Sequence, residues 1–260
     1  MAPGAARERR VLGIDLGGAA SPTTGMVLLV GTQTPTVDEV PRVRGMQAAK
    51  AEAELRLQIN ELRPNTIAID APLQLPPCLT CSDACAGPGP DTCESPMARW
   101  VWEQGGNPTS QRPCELLIRE PGFHPLPTMQ VGVLTARAIG LVRTLRRTGW
   151  VQSNERPQGI IEVYPRGTLH RLGVADSQLR TRGPEEKPED FRHRVLSALG
   201  STVEGLANWS DELRNPHSFD ALIAAYTGWL APGGLEPPSR EIDPRSGWIW
   251  MPRRAKKPGG

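Results

Sequence analysis

The sequence predicts an α/β fold in which a mixed five-stranded sheet carries helices on both faces. Three observations support this prediction. Short apolar runs typical of buried strands alternate with segments that repeat apolar residues at helical spacing. The connection between the first two strands is too short for a helix, which indicates a hairpin. An insertion rich in Pro, Gly and Cys, residues 73–127, then interrupts the alternation in a chain of 260 residues.

The first half of the chain predicts four strands and one helix. Residues 11–16 and 24–30 are apolar runs joined through Gly, Ser and Pro, and residues 36–43 form a weaker third strand. Residues 47–62 are rich in Ala, Glu, Leu and Gln without Gly or Pro, which is typical of a helix. Residues 66–71 form a short buried strand. A right-handed crossover through the helix places this strand parallel to the first one.

The second half predicts one strand and four helices, the helices over residues 128–148, 166–172, 188–199 and 218–231. The strand covers residues 159–164 and is closed by a proline. Ser218 is the candidate N-cap of the last helix. The alternation with crossover helices predicts that the later strands run parallel and that helices cover both faces of the sheet.

The predicted domain covers residues 11–231 and includes the insertion. Residues 1–10 are expected to form a flexible basic arm, and residues 232–260 a basic tail rich in Pro and Gly. Trp248 and Trp250 in that tail are expected to fold it back onto the domain.

Composition restricts the function only weakly. The chain has 30 Lys and Arg against 28 Asp and Glu, a net charge of +2, which neither requires nor excludes a polyanionic partner. No secretory signal is recognisable, and no segment approaches the ~18 apolar residues of a membrane span. We therefore expect a cytoplasmic protein without a membrane partner, whose cysteines are not paired in disulfides. The sequence does not indicate the oligomeric state.

Four acidic residues stand at positions where the pattern predicts apolar ones: Asp15, Asp70, Glu162 and Asp220. Each alone could be a capping residue or half of a buried ion pair, and an acid in a first helical turn is ordinary. Several carboxylates gathered together repel one another unless cations neutralise them. Oxygen ligands favour Mg²⁺ or Mn²⁺, and two such ions can activate water against a phosphodiester. The pattern therefore indicates a metal-dependent hydrolase.

Over residues 11–231 the chain resembles the predicted RNase H-like nucleases grouped under domain of unknown function 429. The resemblance is carried by Gly-Ile-Asp-Leu-Gly, Ala-Ile-Asp-Ala-Pro, Ile-Glu-Val-Tyr-Pro and Ser-Phe-Asp-Ala-Leu, in this order, and by the arginine-acid segment that begins at Arg112. It implies an RNase H-like fold and a metal-dependent nuclease site at Asp15, Asp70, Glu162 and Asp220. Whether DNA or RNA is cut stays open.

Three further residues are candidates for the site. His217 lies three positions before Asp220, so both can share one side of the helix start, and it could position water or protonate a leaving group. A polar residue near a helix cap is the alternative interpretation. Arg112 and Arg119 could contact phosphate, or could be solvated arginines of a loop.

The cysteines suggest a second metal site in the insertion. Cys78, Cys81 and Cys85 have the spacing of metal ligands, and Cys93 and Cys114 compete for a fourth position. A metal cross-link would order a segment with so little apolar content. Zn²⁺ and a [4Fe–4S] cluster both fit thiolate ligands, and free thiols or disulfides are the remaining alternative.

Two other functions fit part of the pattern. A sugar-kinase or actin-like ATPase shares the core topology, and Asp15 followed by Leu-Gly-Gly resembles its first phosphate loop. That fold also requires a second acid-then-glycine turn, whereas Asp70 is followed by Ala-Pro-Leu. A non-catalytic nucleic-acid-binding module with a structural metal cluster is the second alternative. We favour the nuclease, because the four acids are present together.

Overall fold

The structure, a computed structural model, describes residues 8–17, 24–43, 48–81, 89 and 92–254. It confirms a mixed α/β fold in which helices pack against a sheet. The sheet contains seven strands: β1 (Arg9–Leu16), β2 (Thr24–Gly31), β3 (Thr36–Glu39), β4 (Arg42–Val43), β5 (Thr66–Asp70), β6 (Gly159–Val163) and β7 (Ile249–Trp250).

The order of the strands is β3-β2-β1-β5-β6-β7, and β4 pairs with β2 beside this path. Strand β2 pairs antiparallel with β1, β3 and β4. On the other side of β1, the pairs β1–β5, β5–β6 and β6–β7 are parallel. The sheet therefore has more strands than the five that were predicted. The predicted third strand is divided into β3 and β4, and β7 comes from the tail and is too short to show a periodicity.

Eight α-helices lie in the described part of the chain: α1 (Ala48–Leu62), α2 (Pro96–Glu103), α3 (Pro113–Leu117), α4 (Gly132–Arg147), α5 (Pro165–Ala175), α6 (Pro188–Leu199), α7 (Ser210–Leu213) and α8 (Pro216–Trp229). Within the described ranges, none of them has the length and apolar content needed to cross a membrane.

The helices cover both faces of the sheet, as predicted. On one face, Leu55 of α1 and Leu141 of α4 pack in the same apolar cluster as Ile14 of β1. On the other face, Leu222 of α8 packs in a cluster with Val11 of β1. The sheet is thus buried on both sides, which explains why its strands read as continuous apolar runs.

The tail returns to the sheet, as the two tryptophans predicted. Trp248 and Trp250 are buried in one cluster with Val163 of β6. Strand β7 pairs in parallel with β6, Trp250 opposite Val163. The domain therefore extends beyond residue 231, because the tail supplies an edge strand and part of the core.

Two helix starts differ from the predictions. Asn215, and not Ser218, caps α8, because its side chain accepts hydrogen bonds from the backbone N–H groups of His217 at 3.0 Å and Ser218 at 3.4 Å. The insertion contains α2 and α3 where no regular structure was predicted. The missed signal for α2 is Ser95 followed by Pro96, an N-cap residue with proline at the first helical position.

Candidate active site

Two of the predicted acids lie side by side at the carboxyl ends of neighbouring strands. Asp15 of β1 is paired in register with Asp70 of β5, and the two strands are parallel. Adjacent strands lie about 4.8 Å apart, and side chains at paired positions leave the same face of a sheet. Asp15 is buried and Asp70 is half-buried. The prediction that the ends of these two strands are neighbours is confirmed.

Helix α8 brings His217 and Asp220 to the same place, because two glycines let its backbone approach the sheet. A Cβ atom on Gly13 would lie 1.9 Å from the carbonyl oxygen of Ala221. A Cβ atom on Gly25 would lie 2.0 Å from the carbonyl oxygen of His217. Since no larger residue fits either position, these glycines let α8 lie directly against β1 and the start of β2.

His217 forms a direct pair with the first acid. Its Nδ1 atom lies 2.7 Å from Oδ2 of Asp15, and its side chain keeps 32 % exposure. The hydrogen bond to Asp15 raises the pKa of His217, against the opposing effect of burial. A histidine held in this way can give up or accept a proton near neutral pH.

Asp15, Asp70 and Asp220 form what we call the acid cluster. Burial raises the pKa of Asp70 well above its usual range, and the charges of Asp15, Asp220 and Glu162 add to the effect. Burial and the charge of Asp15 raise the pKa of Asp220 to about 7. Carboxylates that perturb one another in this way are typical of sites that bind a cation or transfer protons.

One cation beside the acid cluster was not found from the sequence. Arg192 of α6 lowers the pKa of Asp220, although burial and Asp15 outweigh it. Its Nε atom is buried and has no hydrogen-bond partner in the described part of the chain. No local signal distinguishes Arg192 from the other charged residues of its helix, because only the packing of α6 near α8 brings it to Asp220.

Glu162 lies close to Asp70, and both line one cavity, but its side chain points away from α8 and is held by other partners. It pairs in register with Ile69 and not with Asp70, so its side chain leaves the opposite face of the sheet. Its two carboxylate oxygens accept hydrogen bonds from Nη1 and Nη2 of Arg112 at 2.7 and 2.6 Å. The backbone N–H of Leu73 donates to Oε2 at 2.9 Å. The structure therefore places Glu162 in a buried ion pair, which differs from the role inferred beside Asp15 and Asp70.

Arg112 and its partners form what we call the Arg112 cluster, consisting of Arg112, Glu115, Thr128 and Glu162. Arg112 is 1 % exposed, and its Nε donates to Glu115 at 2.9 Å and to Thr128 at 2.8 Å. It is therefore neither a solvated loop arginine nor free to bind phosphate. Arg119 follows α3 and is half-buried, and no contact among the described residues links its side chain to the acid cluster.

The three carboxylates of the acid cluster do not form a metal coordination shell in this structure. Among the residues that the structure describes, no three His, Cys, Asp or Glu side chains form a group that could hold a metal ion as they stand. Asp70 and Asp220 nevertheless keep carboxylate oxygens that accept no hydrogen bond from the described residues.

Comparison with known families agrees with this arrangement of motifs. The model of a family described as "Protein of unknown function (DUF429)" matches residues 13–241. The chain belongs to the DUF429 family. Comparison with curated proteins and with solved structures gives no match. The family match includes all three members of the acid cluster, His217 and the Arg112 cluster.

In this DUF429 protein, the sequence also did not reveal a second residue, Arg137, which stabilises the segment next to Asp15. Arg137 of α4 donates to the carbonyl oxygen of Gly17 at 2.7 Å and to the hydroxyl of Thr24 at 2.8 Å, and it forms an ion pair with Glu52 of α1. It therefore ties two helices to the ends of β1 and β2. In the sequence Arg137 is only one of several arginines in a predicted helix.

The cysteine site is tested only in part. Cys85 lies outside the described residues, so the predicted set of ligands cannot be assembled in full. Cys78 and Cys81 are half-buried and Cys93 is buried. Cys114 lies in the core with Ile118 and Phe123, and burial raises the pKa of its thiol. Since a metal ligand must be a thiolate, these surroundings do not favour Cys114 as the fourth ligand.

A basic groove of about 650 Å³ runs along α4. Arg143 and Arg146 contribute to its walls, as does Arg245, which is paired with Asp243 at 2.6 Å. Leu73, which follows Asp70 by three residues in the sequence, also lines the groove. The basic end of α4 is thus part of a concave surface.

Proposed function

We propose that this DUF429 protein is a metal-dependent nuclease or phosphodiesterase that hydrolyses nucleic acid. The observation that carries the proposal is the acid cluster, where burial raises the pKa of Asp70 and Asp220 and no buried ion pair with Arg or Lys neutralises the three carboxylates within the described residues. Such a group has a strong electrostatic demand for cations. Its position at the carboxyl ends of parallel strands is where α/β proteins commonly bind ligands.

Asp15, Asp70 and Asp220 are the residues that would hold one or two Mg²⁺ or Mn²⁺ ions. When bound, these ions would activate a water molecule and stabilise the oxygen that leaves phosphorus. His217 is positioned to accept or donate a proton next to Asp15, since its Nδ1 already lies 2.7 Å from that carboxylate. Glu162 is left out of the proposed ligands, because Arg112 occupies both of its oxygens.

The topology supports an RNase H-like assignment within the mixed α/β class. An antiparallel meander of β1, β2 and β3 precedes β5 and β6, which crossovers add in parallel to β1. This is the arrangement that the RNase H-like resemblance led us to expect. The basic groove with Arg143 and Arg146 would contact phosphates of the substrate, as part of the same proposal.

The cysteines of the insertion stay a separate prediction. Cys78, Cys81, Cys85 and Cys93 would hold Zn²⁺ or a [4Fe–4S] cluster. The ultraviolet–visible spectrum and metal content of protein purified without oxygen would distinguish a coloured iron–sulfur protein from a colourless zinc protein. A cytoplasmic location follows the same reasoning on cysteine usage.

The test is hydrolysis of single-stranded, duplex, hybrid and branched DNA and RNA in the presence of Mg²⁺ or Mn²⁺. We expect Asp15→Asn to lower the rate by at least about 100-fold, because a carboxylate that holds the cation is lost. The matched control is Asp211→Asn, which changes an exposed aspartate near α8. Equal activity of Asp15→Asn and Asp211→Asn on every substrate would remove the acid cluster from the mechanism.

An ATPase is supported less well by the same contacts. A second phosphate loop after Asp70 needs free backbone N–H groups, but Pro72 has none and that of Leu73 is bound to Glu162. Thermal stabilisation by ATP with Mg²⁺ would favour the ATPase over the nuclease. Nucleic-acid binding that survives Asp15→Asn, without cleavage under any metal, would favour the non-catalytic module.

A further inference from the structure

A small cavity adjoins the acid cluster and shares one residue with it. Its volume is about 170 Å³, and Asp70 forms part of its wall. This is less than the about 300 Å³ from which pockets for drug-sized ligands begin. A cavity of this size suits one small ring system next to the site where Asp70 acts.

The walls of the cavity are largely apolar. They are formed by the segment after β5, the start of α4 and the ends of β6 and β7, with side chains that include Pro72, Pro125, Leu126, Val131, Leu134 and Ile249. Tyr164 adds an aromatic ring, and burial raises the pKa of its hydroxyl, with a further contribution from the charge of Asp70. Planar organic groups are typical ligands of such walls.

The charges around the cavity exclude a phosphate group. Asp70, Glu115 and Glu162 line it together with a single cation, Arg112, whose guanidinium is already bound by two of these carboxylates. An anion placed there would face an excess of negative charge in a poorly hydrated site. The occupant must therefore be an uncharged part of a molecule whose phosphate lies at the acid cluster.

Exposed apolar side chains continue from the cavity to the surface. Leu126 is 55 % exposed, Met129 42 % and Val133 61 %, and these three lie within eight residues of one another along the chain. Leu126 is also part of the cavity wall, so it stands at the mouth. An exposed apolar group of this kind commonly marks a binding surface.

We propose that this cavity binds one unpaired nucleobase of the substrate, next to the phosphodiester held at the acid cluster. The proposal rests on the proposed function and specifies its substrate class as nucleic acid with unpaired nucleotides. A base within a duplex is stacked on both faces and cannot enter a cavity, whereas an unpaired base is free to do so. Stacking of a base on a protein surface contributes about 1–3 kcal/mol, equivalent to roughly 5- to 150-fold in affinity.

The experiment measures binding of fluorescein-labelled probes by the full chain with Ca²⁺ in place of Mg²⁺ or Mn²⁺, because carboxylate oxygens also bind Ca²⁺ and a phosphate at the acid cluster needs a cation beside it. Gel electrophoresis of each sample checks that the probes stay intact. The probes are a DNA and an RNA duplex with a three-nucleotide bulge, each compared with the same duplex carrying abasic bulge positions. We expect the bulged probe to bind at least about 5-fold more tightly than its abasic counterpart. Equal affinities for the two probes in both DNA and RNA would overturn the proposal.

Two matched pairs of variants locate the effect. Val131→Trp fills the cavity, whereas Val174→Trp adds the same ring on α5, at a valine that is 68 % exposed and lies outside the cavity wall. Leu126→Asp places a charge at the mouth, whereas Leu57→Asp places it on a leucine of α1 that is 51 % exposed. We expect Val131→Trp and Leu126→Asp to abolish the preference for the bulged probe and both controls to keep it. Because Leu126 is exposed, its substitution tests the cavity even if Val131→Trp does not fold.

The outcomes separate this proposal from the nuclease. A base preference that depends on Leu126, without cleavage of any substrate by Mg²⁺ or Mn²⁺, would support the cavity and reject the hydrolase. Cleavage that requires Asp15 but proceeds equally on bulged and abasic probes, with equal binding of both, would support the hydrolase and reject the cavity.

Discussion

The acid cluster and the Arg112 cluster both bring carboxylates together, but only the Arg112 cluster neutralises them with a buried cation. Both gather buried carboxylates near the carboxyl end of the sheet, on opposite faces of β5 and β6. In the Arg112 cluster, a buried guanidinium neutralises Glu115 and Glu162 through hydrogen bonds of 2.6–2.9 Å. In the acid cluster, His217 and Arg192 compensate only part of the charge, and the pKa of Asp220 still rises to about 7.

Under the proposed function, this difference separates an acid that stabilises the fold from acids that bind a cation. A buried carboxylate costs free energy unless a partner neutralises it, so a fold that supplies an arginine has used that acid for its own stability. A group of acids without such a partner destabilises the protein until a cation binds. Glu162 and Asp70 look equivalent in the sequence, because each ends a buried strand before a proline segment, and only their partners distinguish them.

The largest effect on stability is expected when the Arg112 cluster loses its arginine. Arg112→Met should lower the free energy of unfolding by about 3–5 kcal/mol, because Glu115 and Glu162 are then buried without a counter-charge. Urea unfolding monitored by circular dichroism measures the change. The control Arg119→Met, at a half-buried arginine outside the cluster, should cost far less. Similar losses for the two variants would contradict the structural role of Arg112.

The next effect concerns the pH dependence of the acid cluster in EDTA. The pKa of Asp220 is raised from its ordinary value of 3.8 to about 7 by folding, so the native state keeps a proton that the unfolded state releases. Stability contributed by this proton is present below the unfolded pKa and is lost as the pH rises toward 7. Asp220→Asn should therefore match the wild type near pH 4 and exceed its stability by up to about 4 kcal/mol near pH 8.

Unfolding curves of both proteins at a series of pH values measure this difference. Asp211→Asn, at an exposed aspartate, should show a nearly constant difference from the wild type. If the advantage of Asp220→Asn stayed constant from pH 4 to pH 8, the carboxylate would not be desolvated as the structure indicates.

Neutralising one acid in each cluster should change stability in opposite directions. Glu162→Gln should destabilise the protein by about 2–3 kcal/mol at pH 8, because Arg112 loses a charged partner. Asp70→Asn should instead stabilise it in EDTA, because burial and the neighbouring charges raise the pKa of Asp70 and so disfavour its charged form. Thermal unfolding of the two variants beside the wild type measures both effects. The same sign for both would show that the two clusters do not differ.

The smallest effect is expected at the pair between His217 and Asp15. The hydrogen bond with Asp15 raises the pKa of His217, so the stability that it contributes is present below pH 6.5 and is lost as the pH rises through the raised value. His217→Asn should cost about 0.5–1 kcal/mol at pH 6 and less at pH 9, since the pair is partly exposed. His193→Asn, at an exposed histidine of α6, is the matched control. An equal cost at both pH values would exclude the ionised pair.

The sequence predicted the main elements well where the pattern was long. Helix α4 and the helix of residues 47–62 were found because apolar residues repeat at 3.6-residue spacing over several turns. Strand β7 and helices α2 and α3 were missed, since two to eight residues show no clear period and β7 depends on its neighbour β6 for pairing. The start of α8 was misplaced because Asn215 and Ser218 are both good capping residues, and only the hydrogen bonds identify Asn215.

The sequence by itself determined that acids end the strands at Asp15 and Asp70, and the order of the motifs is sufficient to place the chain in the DUF429 family. Tertiary structure alone decided which carboxylates face α8 and which are bound by Arg112. Side chains one register position apart leave opposite faces of a sheet, and this single step sends Glu162 to Arg112 while Asp15 and Asp70 face α8. It also decided that Arg192 and the apolar cavity beside Asp70 belong to the site, because these depend on packing between distant segments and have no local pattern.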